Sequence, residues 1–531
     1  MESKPQTAHD LQEEARKLFQ FADEKQQGYI MSNELITLLE REGILPDDPR
    51  ISKIWQQLKG QRDQLFSQSQ ISMEEFGEII HQNLVLKKAL TKNHIIPNFE
   101  EFHQDIANIF EEVAQNTSGQ VADYIPQLAR VNPDQFAVSI CTIDGQRFSL
   151  GDSQNFFCLQ SSCKPITYCL AIKEHGVEKV HRHVGREPSG QSFNELSLNS
   201  RGLPHNPMIN AGAIMTTSLI QPSRDMADRF EYVLNVWKAL CAYKHVSFNN
   251  SVYLSERATA DRNFALAYFM RENQAFPPGT NLTETLEFYF QTCSIESCTE
   301  NLAVAAATLA NAGMNPLSGE MIFDEKIVQH CLSLMLSCGM YDFSGEFAFK
   351  IGLPAKSGVS GVMMVVIPNV MGISIWSPRL DKLGNSVRGV AFCERLIETY
   401  NFHNYDSLTR ETQKKNPRLQ KRENKINQLM NLIYAASFGN LEEIRRLEAM
   451  GVELGQADYD GRTALHLAAS ENQLAIVQYL IERGVPPRPV DRWGNTPLDD
   501  AHRGNFPQVV NYLEKHLQQI DGIGPASDTT D

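Results

Sequence analysis

Ser161 and Lys164 stand three positions apart in the segment LQSSCKPITYCLAIKEHG, with Pro165 directly after the lysine. Residues three apart on a helix share one face. A serine hydroxyl is a poor nucleophile until a base takes its proton. A lysine can be that base when burial or a neighbouring cation lowers its pKa by several units. The spacing therefore fits a serine nucleophile with its own lysine base at the buried start of a helix. The plainer alternative is a helix start with a solvated lysine. Spacing alone is a weak signal, because Ser-x-x-Lys arises by chance in long chains.

A second group stands much later in the chain. KSGV, from Lys356 to Val359, lies directly ahead of the apolar run Val362–Ile367, and a second run, Met371–Trp376, follows across a Pro-Asn turn. Before Ser161, the stretch FAVSICTIDGQRFSLGD alternates around Asp144-Gly145, a hairpin signal. Strand-like runs thus flank a long middle of helical character. An α+β domain follows, with an antiparallel sheet closed by both of its ends and a helical subdomain between them.

The whole chain has 531 residues, too many for one core, so several domains are expected. Its 42% hydrophobic and 21% charged content is that of a soluble globular protein. A net charge of -15 argues against a nucleic-acid surface over the whole chain. No apolar run approaches the ~20 residues of a membrane span. Ten scattered cysteines without a CxxC pair read as reduced thiols in an intracellular compartment. The start, MESKPQTAHDLQEEARK, has early acids and no apolar core, so it is neither a secretory signal nor a good organellar presequence. His181 and His183 have no third ligand at a recognisable spacing, and no metal site is expected.

Composition and period divide the chain further. Residues 1–95 are read as an all-α region resembling an EF-hand. Asp23 to Glu34 keep the register of a calcium loop, with Gly28 sixth, Ile30 eighth and Glu34 twelfth, but Lys25 and Gln27 occupy ligand positions. A hard cation needs several oxygen ligands there, so the loop is expected to have lost its metal. The catalytic domain is assigned to 96–409 and a basic linker to 410–425. In 426–517, DGRTALHLAASENQLAIVQYLIERG repeats in part 33 residues later, Thr463, Leu465, Ala468 and Leu480 recurring as Thr496, Leu498, Ala501 and Leu513. That period and the T-A-L-H-x-A core are those of ankyrin repeats. Residues 518–531 are read as a disordered tail.

Taken together the motifs resemble known families. In serine β-lactamases and penicillin-binding proteins, Ser-x-x-Lys opens a helix and a Lys-[Ser/Thr]-Gly box lies on a late strand. There the N–H after the box helps the nucleophile's own N–H hold an oxyanion; the matching pair here is Ser161 and Val359. LQSSCKP, PHNPMINAGAI, SERATADRNFALAYFM, CGMYDFSGEFAF and AKSGVSGV are similar, in order, to the serine-dependent glutaminases of β-lactamase-like fold. The EF-hand-like and ankyrin regions extend the resemblance to the animal kidney/liver-type glutaminases.

The resemblance implies hydrolysis of L-glutamine to L-glutamate and ammonia through a Ser161 glutamyl ester. Lys164 would be the base and Tyr341 would relay a proton to the departing ammonia. Tyr124, Asn210, Glu256, Asn263 and Tyr289 align with substrate-holding residues. A free α-amino acid also asks for an anion, such as Glu256, and for amide and hydroxyl groups. No cofactor is implied beyond inorganic phosphate as activator. The resemblance further implies a homotetramer or filament, gated by the Gly-, Ser- and Pro-rich loop from Val184 to Pro207, with Phe193, Leu196 and Leu198 packing across an interface and Ser197 where some relatives carry an aromatic. A passive surface loop is the alternative there. The ankyrin repeats imply a protein partner. The family implies mitochondria, while the absent import signal leaves the cytoplasm as the alternative. Two other readings share parts of the pattern. A β-lactam-recognising serine hydrolase would need an envelope-targeting segment. A non-catalytic ankyrin scaffold would not need Ser161, Lys164 and Tyr341 intact.

Overall fold

The computed structural model describes residues 15–520 except 17, 20–21, 24–26, 53, 55–69, 82, 191–194, 409–413, 419–420 and 450–451. Lys25 and Phe193 therefore lie outside the described residues. The chain divides into two compact units, Met1–Arg418 and Leu419–Asp531.

The first unit begins with paired helical hairpins. Strand β1 (Tyr29–Met31) leads into helix α1 (Ser32–Arg41), and β2 (Gln70–Ser72) leads into α2 (Met73–His81), followed by α3 (Leu84–Leu90). The expected all-α region thus holds one small antiparallel sheet, in which Ile30 faces Ile71. Asp23 of the calcium-type loop accepts from the N–H groups of Gln27 (3.0 Å) and Gly28 (2.8 Å), and Glu34 accepts from Met31 N–H (3.2 Å). Both carboxylates that open and close the loop are engaged by backbone. Among the described residues no cluster of three His, Cys, Asp or Glu side chains has metal-site geometry.

The catalytic region starts with α4 (Phe99–Ala114) and the hairpin β3 (Ala137–Thr142) and β4 (Arg147–Gly151). A short strand, β5 (Phe157–Cys158), runs into a 3₁₀ turn (Gln160–Cys163) and α5 (Lys164–His175). The helical middle follows: α6 (Asn210–Ser218), α7 (Met226–Leu240), β6 (Ser247–Phe248), α8 (Asn250–Ala258), α9 (Asp261–Glu272), α10 (Leu282–Cys293), β7 (Ile295–Ser297), α11 (Thr299–Ala310) and α12 (Glu325–Cys338). A 3₁₀ turn (Tyr341–Phe343) and α13 (Ser344–Lys350) lead to β8 (Ala355–Ser357), β9 (Val362–Ile367), β10 (Met371–Trp376) and α14 (Val387–Thr399).

Strands β4-β3-β10-β9-β8 form one antiparallel sheet, so the late strands pair with the early hairpin as the two-ended pattern requires. Strand β9 reads VMMVVI without a polar position because both of its faces are covered. Val362, Met364 and Val366 enter the core shared with the helical middle, while Met363, Val365 and Ile367 enter a second core with α4 and α14. Gly372 of β10 lets α11 lie against the sheet, since a Cβ there would sit 2.1 Å from Ala307 N. A second small sheet, β5-β7-β6, ties the segment before Ser161 to the helical middle.

The second unit stacks helix pairs: α15 (Lys421–Ser437) with α16 (Leu441–Ala449), α17 (Ala464–Ser470) with α18 (Leu474–Glu482), and α19 (Pro497–Arg503) with α20 (Pro507–Ile520). Helix α15 begins inside the segment read as linker, and α20 runs two residues past the start of the segment read as tail. Leu432, Leu465, Ala468, Ala501 and Leu513 share its core, which places the repeated apolar positions between repeats.

Candidate active site

The turn that carries Ser161 is built by its neighbours. Leu159 N–H bonds Ile295 O of β7 (2.8 Å), and Ser162 returns both its N–H (3.0 Å) and its hydroxyl (2.6 Å) to Leu159 O. Gln160 holds a left-handed φ of 50° between them. Ser161 therefore lies in the 3₁₀ turn, and the α-helix proper starts at Lys164 rather than at the serine. The residues of α5 from Lys164 to Ile172 are all buried, so the lysine stem enters the core with the helix.

Lys164 Nζ donates to Asn210 Oδ1 at 2.7 Å. Complete burial pulls its ammonium down to about 8, and nearby Cys293, Cys163 and Glu256 only partly oppose this. Asn210 is the first residue of α6. Its Oδ1 also accepts from the Tyr289 hydroxyl (3.3 Å), and its Nδ2 donates to Asn263 Oδ1 (3.3 Å). Gly212 sets how close α6 comes: a Cβ there would lie 1.8 Å from Asn206 O. Helices α5, α6, α9 and α10 thus deliver Lys164, Asn210, Asn263 and Tyr289 to one hydrogen-bonded cluster.

A second cluster forms around Glu256 of α8. Its Oε1 accepts from the Tyr124 hydroxyl (2.6 Å) and from Gln160 Nε2 (3.0 Å). Burial still raises its carboxyl above the usual range. Tyr124 is the exposed member at 46%, so the cluster reaches the surface through its ring. Gln160 links this cluster to the turn that carries Ser161. Nothing in its type or spacing marked it, because a glutamine beside a serine carries no chemical signal until the fold turns it toward a carboxylate.

Tyr341 sits in the turn after α12 with a left-handed φ of 54°. Burial pushes its phenol up, and a hydrogen bond from the Ser161 side chain pulls the other way. Lys356 of β8 lies 4.5 Å over the centre of its ring and donates to Gly339 O (3.0 Å) and Ser357 O (2.7 Å). Burial, with Lys164 nearby, holds the Lys356 ammonium well below its ordinary value. The KSGV segment then passes the turn that carries Ser161. A Cβ on Gly358 would lie 2.8 Å from Leu159 O and 3.5 Å from Ser162 N, so Val359 follows a backbone already pressed on that turn. The Val359 side chain packs with Ile125, Leu128, Cys158 and Val252.

All nine residues named from the sequence (Tyr124, Ser161, Lys164, Asn210, Glu256, Asn263, Tyr289, Tyr341 and Val359) fall on these joined segments. The loop rich in Gly, Ser and Pro reaches the same place. A cavity of about 360 Å³ beside Tyr341 is lined by Gly190, Asn206, Ile209, Cys338, Asp342 and Ser344 among others. Leu196 is exposed and Leu198 packs on the helical core.

The glutaminase family profile matches residues 119–405, which hold the whole site. The chain belongs to the glutaminase family. As a glutaminase it is an amidohydrolase acting on glutamine. Ankyrin repeats in three copies match 432–521, and an EF-hand domain matches 15–97. A Caenorhabditis elegans protein named "Putative glutaminase 3" is 47% identical over 508 residues, covering 94% of this chain and 87% of that protein. The mitochondrial liver isoform of glutaminase from Rattus norvegicus is 44% identical over 486 residues, covering 91% of this chain and 81% of its own. The solved structure titled "Probable glutaminase ybaS" superposes with a TM-score of 0.54 at 36% identity, over 56% of this chain and 96% of that one. The fold class read from the sequence, a β-lactamase-like glutaminase domain between EF-hand and ankyrin regions, agrees with these matches.

Proposed function

We propose that this glutaminase hydrolyses L-glutamine to L-glutamate and ammonia in two steps through an ester on Ser161. Neutral Lys164 takes the serine proton as Oγ attacks the side-chain amide carbon. The N–H groups of Ser161 and Val359 hold the resulting oxyanion, where one such donor is worth roughly a hundred- to a thousandfold in rate. Tyr341 passes a proton to the amide nitrogen, and the C–N bond breaks to release ammonia. Water then attacks the ester, and the same groups return the proton to Ser161. Glu256 meets the α-ammonium of the substrate, while Asn210, Asn263, Tyr289 and the Tyr124 hydroxyl hold its polar groups. The observation that carries this reading is the fully buried Lys164, three residues on from Ser161, with its Nζ hydrogen-bonded to Asn210 Oδ1 at 2.7 Å.

Ser161→Ala is expected to lose turnover by at least about a thousandfold while still binding glutamate, read by an ammonia assay and by calorimetry. Unchanged ammonia release would remove the nucleophile. We infer further that inorganic phosphate activates this chain by ordering the loop from Val184 to Pro207, with assembly to a homotetramer or filament. The loop's place in the cavity beside Tyr341 supports this. Assays with and without phosphate, run with light scattering, test both parts. The ankyrin stack fits a protein partner, and mitochondria are the proposed location, supported by the name of the rat relative.

A further inference from the structure

A second cavity, of about 480 Å³, adjoins the candidate active site, yet none of the nine residues of that site lines it. Leu128, Cys158 and Val252 line the cavity and also pack with Ile125 and Val359 in one apolar cluster. This cluster is a wall shared with the site. Ile125 follows Tyr124, Cys158 precedes Ser161 by three positions, and Val252 stands one turn of α8 before Glu256. Ser360, which also lines the cavity, follows Val359.

The rest of the lining carries specific chemistry. Phe156, Phe157 and Trp376 supply aromatic surface; Phe157 stacks on Trp376 with ring centres 5.1 Å apart, and Phe156 is 42% exposed. Glu296 supplies an acid. It accepts from Asn249 Nδ2 (2.6 Å) and from the Ser247 hydroxyl (3.4 Å), both neutral donors. Arg130, an exposed side chain, supplies a cation. Two more lining residues hold buried oxygens without a hydrogen-bond partner among the described residues, Ser360 Oγ and Gln127 Oε1. Ser360 is only 6% exposed. Unpaired buried polar atoms are costly and uncommon, and on a cavity lining they are matched by the donors of a ligand.

We propose that this cavity binds a free α-amino acid with an aromatic side chain, and that its occupancy strengthens glutamine binding across the shared wall. An ammonium asks for an acid and for acceptor oxygens, which Glu296, Gln127 and Ser360 offer. A carboxylate asks for a guanidinium, which Arg130 offers. The aromatic surface takes the side chain. One arginine with one acid gives no net positive charge for a phosphate, which argues against a nucleotide. The coupling, unlike the site, rests on the glutamine reading. The cavity is present while Tyr124 and Gln160 hold Glu256, so a ligand that needs the cavity favours that arrangement of the site.

The test titrates the full chain with L-phenylalanine by calorimetry, without glutamine. One molecule per chain should bind with a Kd below about 1 mM. 2-Phenylethylamine lacks the carboxylate and N-acetyl-L-phenylalanine lacks the ammonium, and each should bind at least about tenfold more weakly. Saturating L-glutamate should not displace the phenylalanine. Arg130→Gln, at an exposed position, should weaken phenylalanine about tenfold and keep kcat and KM without it within about twofold. In the ammonia assay, saturating phenylalanine should lower KM for glutamine about fivefold. No binding below about 1 mM, equal binding of either analogue, displacement by glutamate, or full affinity in Arg130→Gln would overturn the site. Binding that leaves KM unmoved would overturn the coupling. A chain that binds phenylalanine as expected yet never releases ammonia would sink the glutamine reading and leave the amino-acid site standing.

Discussion

Lys164 shows how one side chain acquires its chemistry. A solvated lysine is charged at neutral pH, whereas here burial moves the amine to about 8, within reach of a working base. The direction fixes two pH dependences. The folded chain holds the proton less tightly than the unfolded one, so Lys164 weakens the fold below about 8 and this cost fades as pH rises toward 10.5. In the proposed mechanism turnover needs the neutral amine. The saturated rate is therefore expected to rise about tenfold per pH unit below 8 and to level off above it. A flat rate from pH 6.5 to 9.5 would show that Lys164 does not accept the serine proton. Gln160 makes a related point. Its left-handed backbone costs about 1 kcal/mol, yet it sends the amide to Glu256 and leaves the next residue, Ser161, facing Tyr341.

At the scale of elements, the site depends on close backbone approach. The end of β8 and the Ser161 turn come from opposite parts of the domain, and only a glycine at 358 lets them meet. Gly358→Ala would put a Cβ 2.8 Å from Leu159 O and 2.9 Å from Val362 Cγ1, so one of the two segments must retreat. Its backbone is not left-handed, so the clash rather than strain is the cause. The expected result is a fall in kcat of about a hundredfold, from displacing one oxyanion donor, with KM changed far less. Wild-type kcat in that variant would mean that Val359 does not serve Ser161. Gly212 and Gly339 act likewise, each with a backbone carbonyl 1.8 Å from where a Cβ would be.

At the scale of the molecule, the EF-hand region is joined to the catalytic sheet through the tip of the β3–β4 hairpin. Arg50 donates to Asp144 O (2.6 Å) and Gly145 O (3.3 Å), and Gln146 donates to Glu42 O (3.1 Å). Glu42 beside this joint is buried, and burial raises its carboxyl to about 7, against the opposing pull of Lys92. A raised carboxyl stabilises the fold at low pH, and that contribution is lost as pH climbs from about 4.5 through 7. Glu42→Gln should match the parent in thermal melts near pH 4 and melt higher at pH 8. Equal melting at pH 8 would mean that the carboxylate is not strained there. The EF-hand region thus buttresses the catalytic sheet through this hairpin tip.

Much of this was legible in the chain itself. The hairpin, both late strands, the ankyrin period and the Ser161–Lys164 spacing are set by residue type and short spacing. Their periodicity reflects neighbours a few positions away, which a sequence displays directly. The tertiary structure decided the rest: the 3₁₀ turn under Ser161, the burial of Lys164 and the place of Gln160. Each of these is a matter of desolvation or contact across distance. Lys164 meets an amide 46 positions away and Gln160 a carboxylate 96 positions away. A sequence supplies the groups, but how far water is excluded from them is settled only when remote segments close over them.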